Sequence, residues 1–439
     1  MTDIDTSYAR HLQMLQRQLE EVLPSLGYDG LLLFSGSPRY RFQDDQAAPF
    51  VANPHFKRWV PLPRQVDCAL LVRPHQRPLL YHYDPVDFWH LPAGRPEGFW
   101  TRHFDIVEMH SREELERSLP HGGHLAFIGE EAALAERLGI EAVNPTPVLS
   151  ALNWQRAVKS GYELECLREA NRVAVAGHRA AEAAFRGGES EFGIHQAYLA
   201  ATGARETELP YSSIVGLNTH AAVLHYQHLD RQPPARPLSF LLDAGVEVRG
   251  YASDITRTYS GESGLFGELI DALDAAQRNL LEQVRPGQGF TSLHLSMHRA
   301  LARILRDFGL VDMSEEGQLE SGITSTFFPH GLGHLLGLQV HDVGGLQADP
   351  AGTPAPPPLS HPFLRLTRSL ETDMVVTVEP GLYFIEPLLA RLAEAPHRGA
   401  VDWAKVDALR PYGGIRIEDN VRVTPAGCEN FTRDAFQAG

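Results

Sequence analysis

Leu12, Leu15, Leu19 and Val22 recur at helical spacing with polar residues between them, which predicts an amphipathic helix over residues 8–25. Gly27 follows, and the glycine-bounded apolar run YDGLLLFSG (28–36) predicts a buried strand. CALLVRP (68–74) and PLLYHYD (78–84) flank a Pro-His-Gln-Arg-Pro turn and predict a hairpin. Residues 110–118 read as a helix and HLAFIG (124–129) as another strand. Near residues 150–160 the texture changes. Ser160-Gly-Tyr-Glu163 is a capping box that opens a long helix through CLREANRVAVAGHRAAEAAF, ending at Gly187-Gly188. A second helical stretch covers about 190–203, residues 240–260 are strand-rich, and 265–308 are helical around a Pro286-Gly287 break. The remainder reads as strand and turn, with the proline-dense piece 350–362 as a surface loop. The expected architecture is α+β: a smaller mixed α/β domain over 1–157, then a second domain over 158–439.

Composition narrows the class. A chain of 439 residues exceeds what one hydrophobic core ordinarily serves. A formal charge of −16 argues against a nucleic-acid partner. Apolar runs are too short for a membrane helix, and the polar, acid-bearing start MTDIDTSYARHLQ is unlike a secretory signal. Cys68, Cys166 and Cys428 are few, odd in number and scattered, which fits a reducing cytoplasm and excludes a thiolate zinc site.

Candidate chemistry sits in the second domain. Asp243 and Asp254 border two β-branched runs, and a turn centred near 248–249 would set them opposite each other on one hairpin face. Taken alone, such a pair also reads as a turn cap and a solvated edge residue. HGLGHLLGLQVHD (330–342) carries His330, His334 and His341, but its glycines oppose a helix, so a tight turn presents them. MVVTVEPG (374–381) places Glu379 after a strand, and GGIRIEDN (413–420) sets Arg416 and Glu418 on one face opposite Ile415 and Ile417.

Asp243, Asp254, His334, Glu379 and Glu418 thus form a set of four carboxylates and one imidazole. Two carboxylates converging to about 4 Å repel by about 4 kcal/mol at an effective dielectric of about 20. Two divalent ions would neutralise the set. Oxygen-rich ligation with one histidine suits Mn²⁺ or Co²⁺, with Zn²⁺ an alternative. Two such ions about 3.5–4 Å apart generate a hydroxide nucleophile and polarise a carbonyl or phosphoryl group.

The order DAG(x)8D, HGLGH, VEPG and GIRIED resembles the creatinase/aminopeptidase family with the pita-bread fold. Within it, the chain is similar to the bacterial Xaa-Pro dipeptidase (prolidase) branch, which includes organophosphorus acid anhydrolases. FQDDQAAPF (42–50), FKRWVP (56–61), PVDFWH (85–90) and PYSSIVGLN (210–218) share in the likeness. The resemblance implies metal ligation by Asp243, Asp254, His334, Glu379 and Glu418, with Asp254 and Glu418 bridging. It places His225, His330 and His341 around the substrate, Glu379 as general base, and Arg365 and Arg416 near the substrate carboxylate. Tyr211, Asp45 and Trp89 become further substrate contacts, Asp45 and Trp89 across a homodimer. The implied activity is hydrolysis of dipeptides ending in proline, with organophosphate triester and fluoridate hydrolysis as a side reaction. A metal-free peptide-binding module is the reading from another class. It is disfavoured because all five ligand positions keep their residue types.

Overall fold

The computed structural model describes residues 4–119 and 122–438. Two compact units emerge: residues up to Cys166 together with Asp349–Thr353, and Leu167–Ala348 together with Pro354–Gly439. The N-terminal helix runs over Ile4–Ser25 and buries Leu12, Leu15, Leu19 and Leu23. Strand Gly30–Phe34 is buried at every position, as its unbroken apolar run requires. It lies in a mixed six-stranded sheet, paired antiparallel with Ala69–Val72 and parallel with Leu125–Ile128. The expected hairpin is present, with Leu70 opposite Leu80. The loop after residue 42 does not close over its apolar residues. Phe42, Val51, Phe88 and Trp89 stand exposed in this unit, while Phe56 is buried on the short helix Pro54–Trp59.

The capping box at Ser160 forms as expected. The Ser160 N–H donates to Glu163 Oε2 at 2.8 Å, and the Glu163 N–H donates to Ser160 Oγ at 3.3 Å. It opens the helix Gly161–Arg186, after which come Glu191–Thr202 and the helices Leu265–Leu281 and Phe290–Asp307. The expectation of only strand and turn after residue 308 is corrected: Glu315–Glu320, Ile323–Phe327, Glu386–Glu394, Trp403–Leu409 and Phe431–Ala438 are helical. These segments are short, so few apolar positions repeat within them, and tertiary contacts rather than periodicity fix their state. Among the described residues no helix is long and apolar enough to cross a membrane.

Three strands, Ile255–Ser260, Ser239–Ala244 and Ile214–Leu217, form one antiparallel sheet of the second unit. Val375–Val378, Asp419–Thr424 and Gly427–Asn430 form another. A lone bridge between Thr256 and Glu418 joins the two, and Gly381–Tyr383 pairs with Gly414–Arg416 beside them. The core packs helix residues Ala174, Phe185 and Tyr198 against strand residues Val215, Phe240 and Leu242.

Candidate active site

The aspartate hairpin has a different register from the expected one. Val248 pairs with Tyr251, so the two-residue turn is Arg249-Gly250, with φ of +51° and +92°. A tight hairpin turn of this kind needs positive φ at both central positions, and Gly250 supplies one without strain. Asp243 therefore faces Thr256 rather than Asp254. The slip is two residues, and a slip of two preserves the face. The carboxylates still converge: Tyr211 Oη lies 2.8 Å from Asp243 Oδ1 and 2.6 Å from Asp254 Oδ1.

The loop bearing His334 is pressed against strand Val375–Val378. The Thr377 N–H donates to the His334 carbonyl at 2.9 Å, and the Glu379 N–H donates to the Leu332 carbonyl at 2.8 Å. A Cβ at Gly333 would sit 2.1 Å from the Thr377 carbonyl oxygen, so only glycine permits this approach. His334 Nδ1 donates its proton to the Leu335 carbonyl at 3.0 Å, which turns Nε2 towards the carboxylates. Without a metal Nε2–H donates to Asp254, and in the neutral ring the same nitrogen is free to ligate. That nitrogen lies 3.3 Å from Asp254 Oδ2 and 3.5 Å from Glu379 Oε1. Ligand atoms of Asp254, His334 and Glu418 all lie within 4.8 Å of one another. The Thr256 hydroxyl fixes Glu418 by donating to its Oε2 at 2.6 Å.

Asp243, Asp254, His334, Glu379 and Glu418 share the wall of one cavity of about 280 Å³. On protein charges alone this set is over-supplied with negative charge. Burial, then repulsion from Asp254, pushes the Glu418 carboxyl well above the ordinary range. Burial likewise takes Glu379 to about 7, with Asp254 and Asp243 adding to the rise and His334 opposing it. Asp243 is raised by burial despite the Arg416 guanidinium 2.6 Å away. Burial acts upward on Asp254 too, but hydrogen bonding to His334 and Tyr211 outweighs it and holds this carboxyl low. Divalent cations relieve such a cluster, and oxygen donors with one imidazole fit them.

The other expected site residues fall into distinct places. His225 and His341 border the cavity and are exposed, and neither ring makes a hydrogen bond among the described residues. Partial desolvation at the cavity, then the neighbouring His334 and Arg365, lower the His341 pKa to about 4 and keep its ring neutral. His330 is engaged at both nitrogens, Nδ1 with the Gly331 carbonyl at 2.8 Å and Nε2 with Tyr383 Oη at 2.9 Å. Arg416 spends its guanidinium on Asp243, on Tyr383 Oη at 2.9 Å and on Thr256 Oγ1 at 3.2 Å. It braces a carboxylate instead of standing free for one. Arg365 borders the cavity, exposed, with no hydrogen bond or ion pair among the described residues. Tyr211 is not on the cavity wall but behind the two aspartates. Asp45 and Trp89 belong to the N-terminal unit, where both are exposed.

Several supporting residues carry no motif. Tyr383 links Arg416 to His330, and Thr377 Oγ1 accepts the His334 N–H at 3.0 Å. Glu191, buried, accepts from the Leu217 N–H at 2.9 Å, the Tyr226 hydroxyl at 2.7 Å and the Asp230 N–H at 2.8 Å, bracing the segment that carries His225. Ser190 caps the helix that carries Glu191, its Oγ accepting the Gly193 N–H at 3.2 Å, which marks a helix start and nothing of the bracing role.

Donors of this kind serve metal-dependent hydrolysis. Residues 165–425 match metallopeptidase family M24, and residues 6–154 match the Xaa-Pro dipeptidase N-terminal domain. The chain belongs to metallopeptidase family M24. It is 49% identical to an Xaa-Pro dipeptidase of Shewanella oneidensis over 428 residues, 97% of this chain and 98% of that one. With an Xaa-Pro dipeptidase of Aeromonas hydrophila it shares 48% identity over 438 residues, 99% of this chain and all of that one (100%). The fold matches aminopeptidase PepP of Pseudomonas aeruginosa with a TM-score of 0.75 at 23% identity, covering 98% of this chain and 95% of that one. Zinc-substituted Escherichia coli aminopeptidase P in complex with product matches with a TM-score of 0.73 at 24% identity, covering 96% and 95%. The protein is thus a metallopeptidase of α+β architecture, an N-terminal domain followed by a pita-bread domain.

Proposed function

We propose that the protein is an Xaa-Pro dipeptidase, with the domains meeting at 157/158 and two divalent ions held by Asp243, Asp254, His334, Glu379 and Glu418. The observation that carries the reading is the buried carboxylate–imidazole set sharing one cavity with an unpaired guanidinium, Arg365. When bound, the ions acidify a water and polarise the scissile carbonyl. Mn²⁺ fits the oxygen-rich donors best, with Co²⁺ and Zn²⁺ as alternatives.

The chain's own groups do the rest. Glu379, on the cavity wall beside His334, accepts the proton of the attacking water. His225 and His341, unbonded on the cavity wall, donate N–H to the developing oxyanion. Arg416, Tyr383 and His330 hold Asp243 and the His330 loop in place. A phosphotriester or phosphorofluoridate presents a tetrahedral centre like that intermediate, which supports a side activity on organophosphates. Competitive inhibition of such hydrolysis by Ala-Pro checks it, and additive rates would refute it.

Arg365 is expected to set length selectivity. Pairing with a free C-terminal carboxylate favours dipeptides, whereas a longer chain offers a neutral amide and leaves the guanidinium unmatched. Arg365→Ala should lower kcat/KM for Ala-Pro by about 10²-fold, ~2.7 kcal/mol, and leave a tripeptide extended beyond proline little changed. Equal proportional losses would show that Arg365 does not read the carboxylate. The exposed Phe42, Val51, Phe88 and Trp89 support a homodimer in which Asp45 and Trp89 of one copy reach the other's substrate. Full activity of a monomer in sedimentation at nanomolar concentration would refute that assembly. The three free cysteines support a cytoplasmic location, which cell fractionation tests.

A further inference from the structure

A second cluster of metal-ligating side chains lies outside the catalytic set. His294 and His298 stand four residues apart on the helix Phe290–Asp307, on one face of it. His361, from the proline-dense loop, closes a triangle with them. Ring centroids are 4.5 Å apart for His294 and His298, 4.5 Å for His294 and His361, and 4.7 Å for His298 and His361. One ring nitrogen from each falls within 4.8 Å of the others.

Three histidines in a core usually satisfy their nitrogens with neighbouring polar groups. Here they do not. His294 is 1% exposed, and neither of its ring nitrogens has a hydrogen-bond partner. His298 is also 1% exposed; its Nδ1 pairs with Thr324 Oγ1 at 2.9 Å, and its Nε2 has no partner. A proton on Nδ1 donated to Thr324 puts the lone pair on the unpartnered Nε2, the arrangement that an outer hydrogen bond gives a metal-bound histidine. Burial holds all three rings neutral, His294 lowered to about 2 and His298 to about 3, so no proton competes for these lone pairs.

We propose that His294, His298 and His361 form a separate metal site for a divalent ion of the Zn²⁺ type, which ties the loop carrying His361 to the helix Phe290–Asp307. Three imidazoles with an open fourth position suit Zn²⁺ or Co²⁺ in tetrahedral geometry. They suit Mn²⁺ and Mg²⁺ poorly, so this site and the carboxylate-rich one prefer different ions. The tie matters for the cavity, because Phe363 and Arg365 follow His361 on the same loop and both border it. The cluster also touches the cavity wall from behind. The Phe328 ring stacks on His298 at 4.9 Å and meets His330 edge-on at 4.9 Å.

The test is Co²⁺ loading of the full-length chelator-stripped protein, followed by dialysis, metal counting and visible spectroscopy. The wild type should retain one ion more per chain than His361→Ala or His298→Gln. It should also show an intense visible band of nitrogen-ligated tetrahedral Co²⁺ that both variants lack. The band and the difference in count are read against the wild type, so they hold whatever the carboxylate site binds. His361 is only partly buried, so its alanine variant tests the site even if His298→Gln fails to fold. Equal metal counts in wild type and His361→Ala, or an unchanged visible spectrum, would mean that the cluster holds only water, and would overturn the proposal.

Discussion

Glu418→Gln is expected to abolish dipeptide hydrolysis while making the metal-free protein more stable. Glu418 is 2% exposed and groups with Asp254 and His334 at ligand distance. Glutamine keeps the volume and can still accept from Thr256, so packing survives. What disappears is a buried carboxyl that burial and three neighbouring carboxylates push well upward, so that folding the metal-free chain at neutral pH must either protonate it or bury its charge. Removing that carboxyl relieves the bare cluster and costs the centre a ligand. Turnover should fall by about 10³-fold, ~4 kcal/mol in transition-state stabilisation, with metal content reduced. Thermal unfolding in chelator should shift upward, the usual opposition of stability and function at such sites. Wild-type metal content and turnover in Glu418→Gln would remove it from the ligand set. A lower midpoint would show that its charge is compensated within the protein.

Chelation should silence the enzyme completely, and Mn²⁺ or Co²⁺ should restore it. Arg416 is bonded to Asp243 within the cavity wall, and one guanidinium cannot balance four carboxylates. The metal-free protein should also show a distinctive pH dependence. Glu379 is raised from 4.5 to about 7, chiefly by burial. Between those values the native state keeps a proton that the unfolded chain has released. Stability conferred by that proton is present below about pH 4.5 and is lost as pH rises to about 7, a change of about 3 kcal/mol. With metal present the slope should reverse, because the ions require ionised ligands and bind more tightly as pH rises. Urea unfolding across this range, with and without Mn²⁺, measures both. Turnover in fully stripped protein would end the metal-dependent reading, and a flat metal-free profile would place Glu379 in a better-solvated setting.

Much of this site was legible in local sequence because its parts are strand ends and tight turns. Alternation placed Arg416 and Glu418 together, opposite the buried Ile415 and Ile417. Glycines announced that His330, His334 and His341 sit on a non-helical loop, and Gly333 proves to be where that loop meets the Thr377 carbonyl. The hairpin face was right although its register was two residues off, since side-chain direction depends on parity alone. The roles of Arg416 and His330 were less legible. Their sequence neighbours do not show that Tyr383 and Asp243 occupy their hydrogen-bonding groups. His294 and His298, four apart in a predicted helix, share a face by sequence, but the approach of His361 and their unpartnered nitrogens are properties of the packed interior.

Periodicity, capping and turn chemistry are set by neighbours within a few residues. The chain therefore determined by itself its long helices, its apolar strands, the hairpin face and the residue types available for metal chemistry. Tertiary structure decided which side chains meet. The Thr256–Glu418 bridge joins residues 162 positions apart, and the Arg416–Asp243 pair joins residues 173 apart. Contacts of that span depend on the closing of whole sheets over one core, and the same closing removes water from the carboxylates. The shifted protonation of Glu379 and Glu418 exists only in that water-poor interior, so no local pattern of residues encodes it.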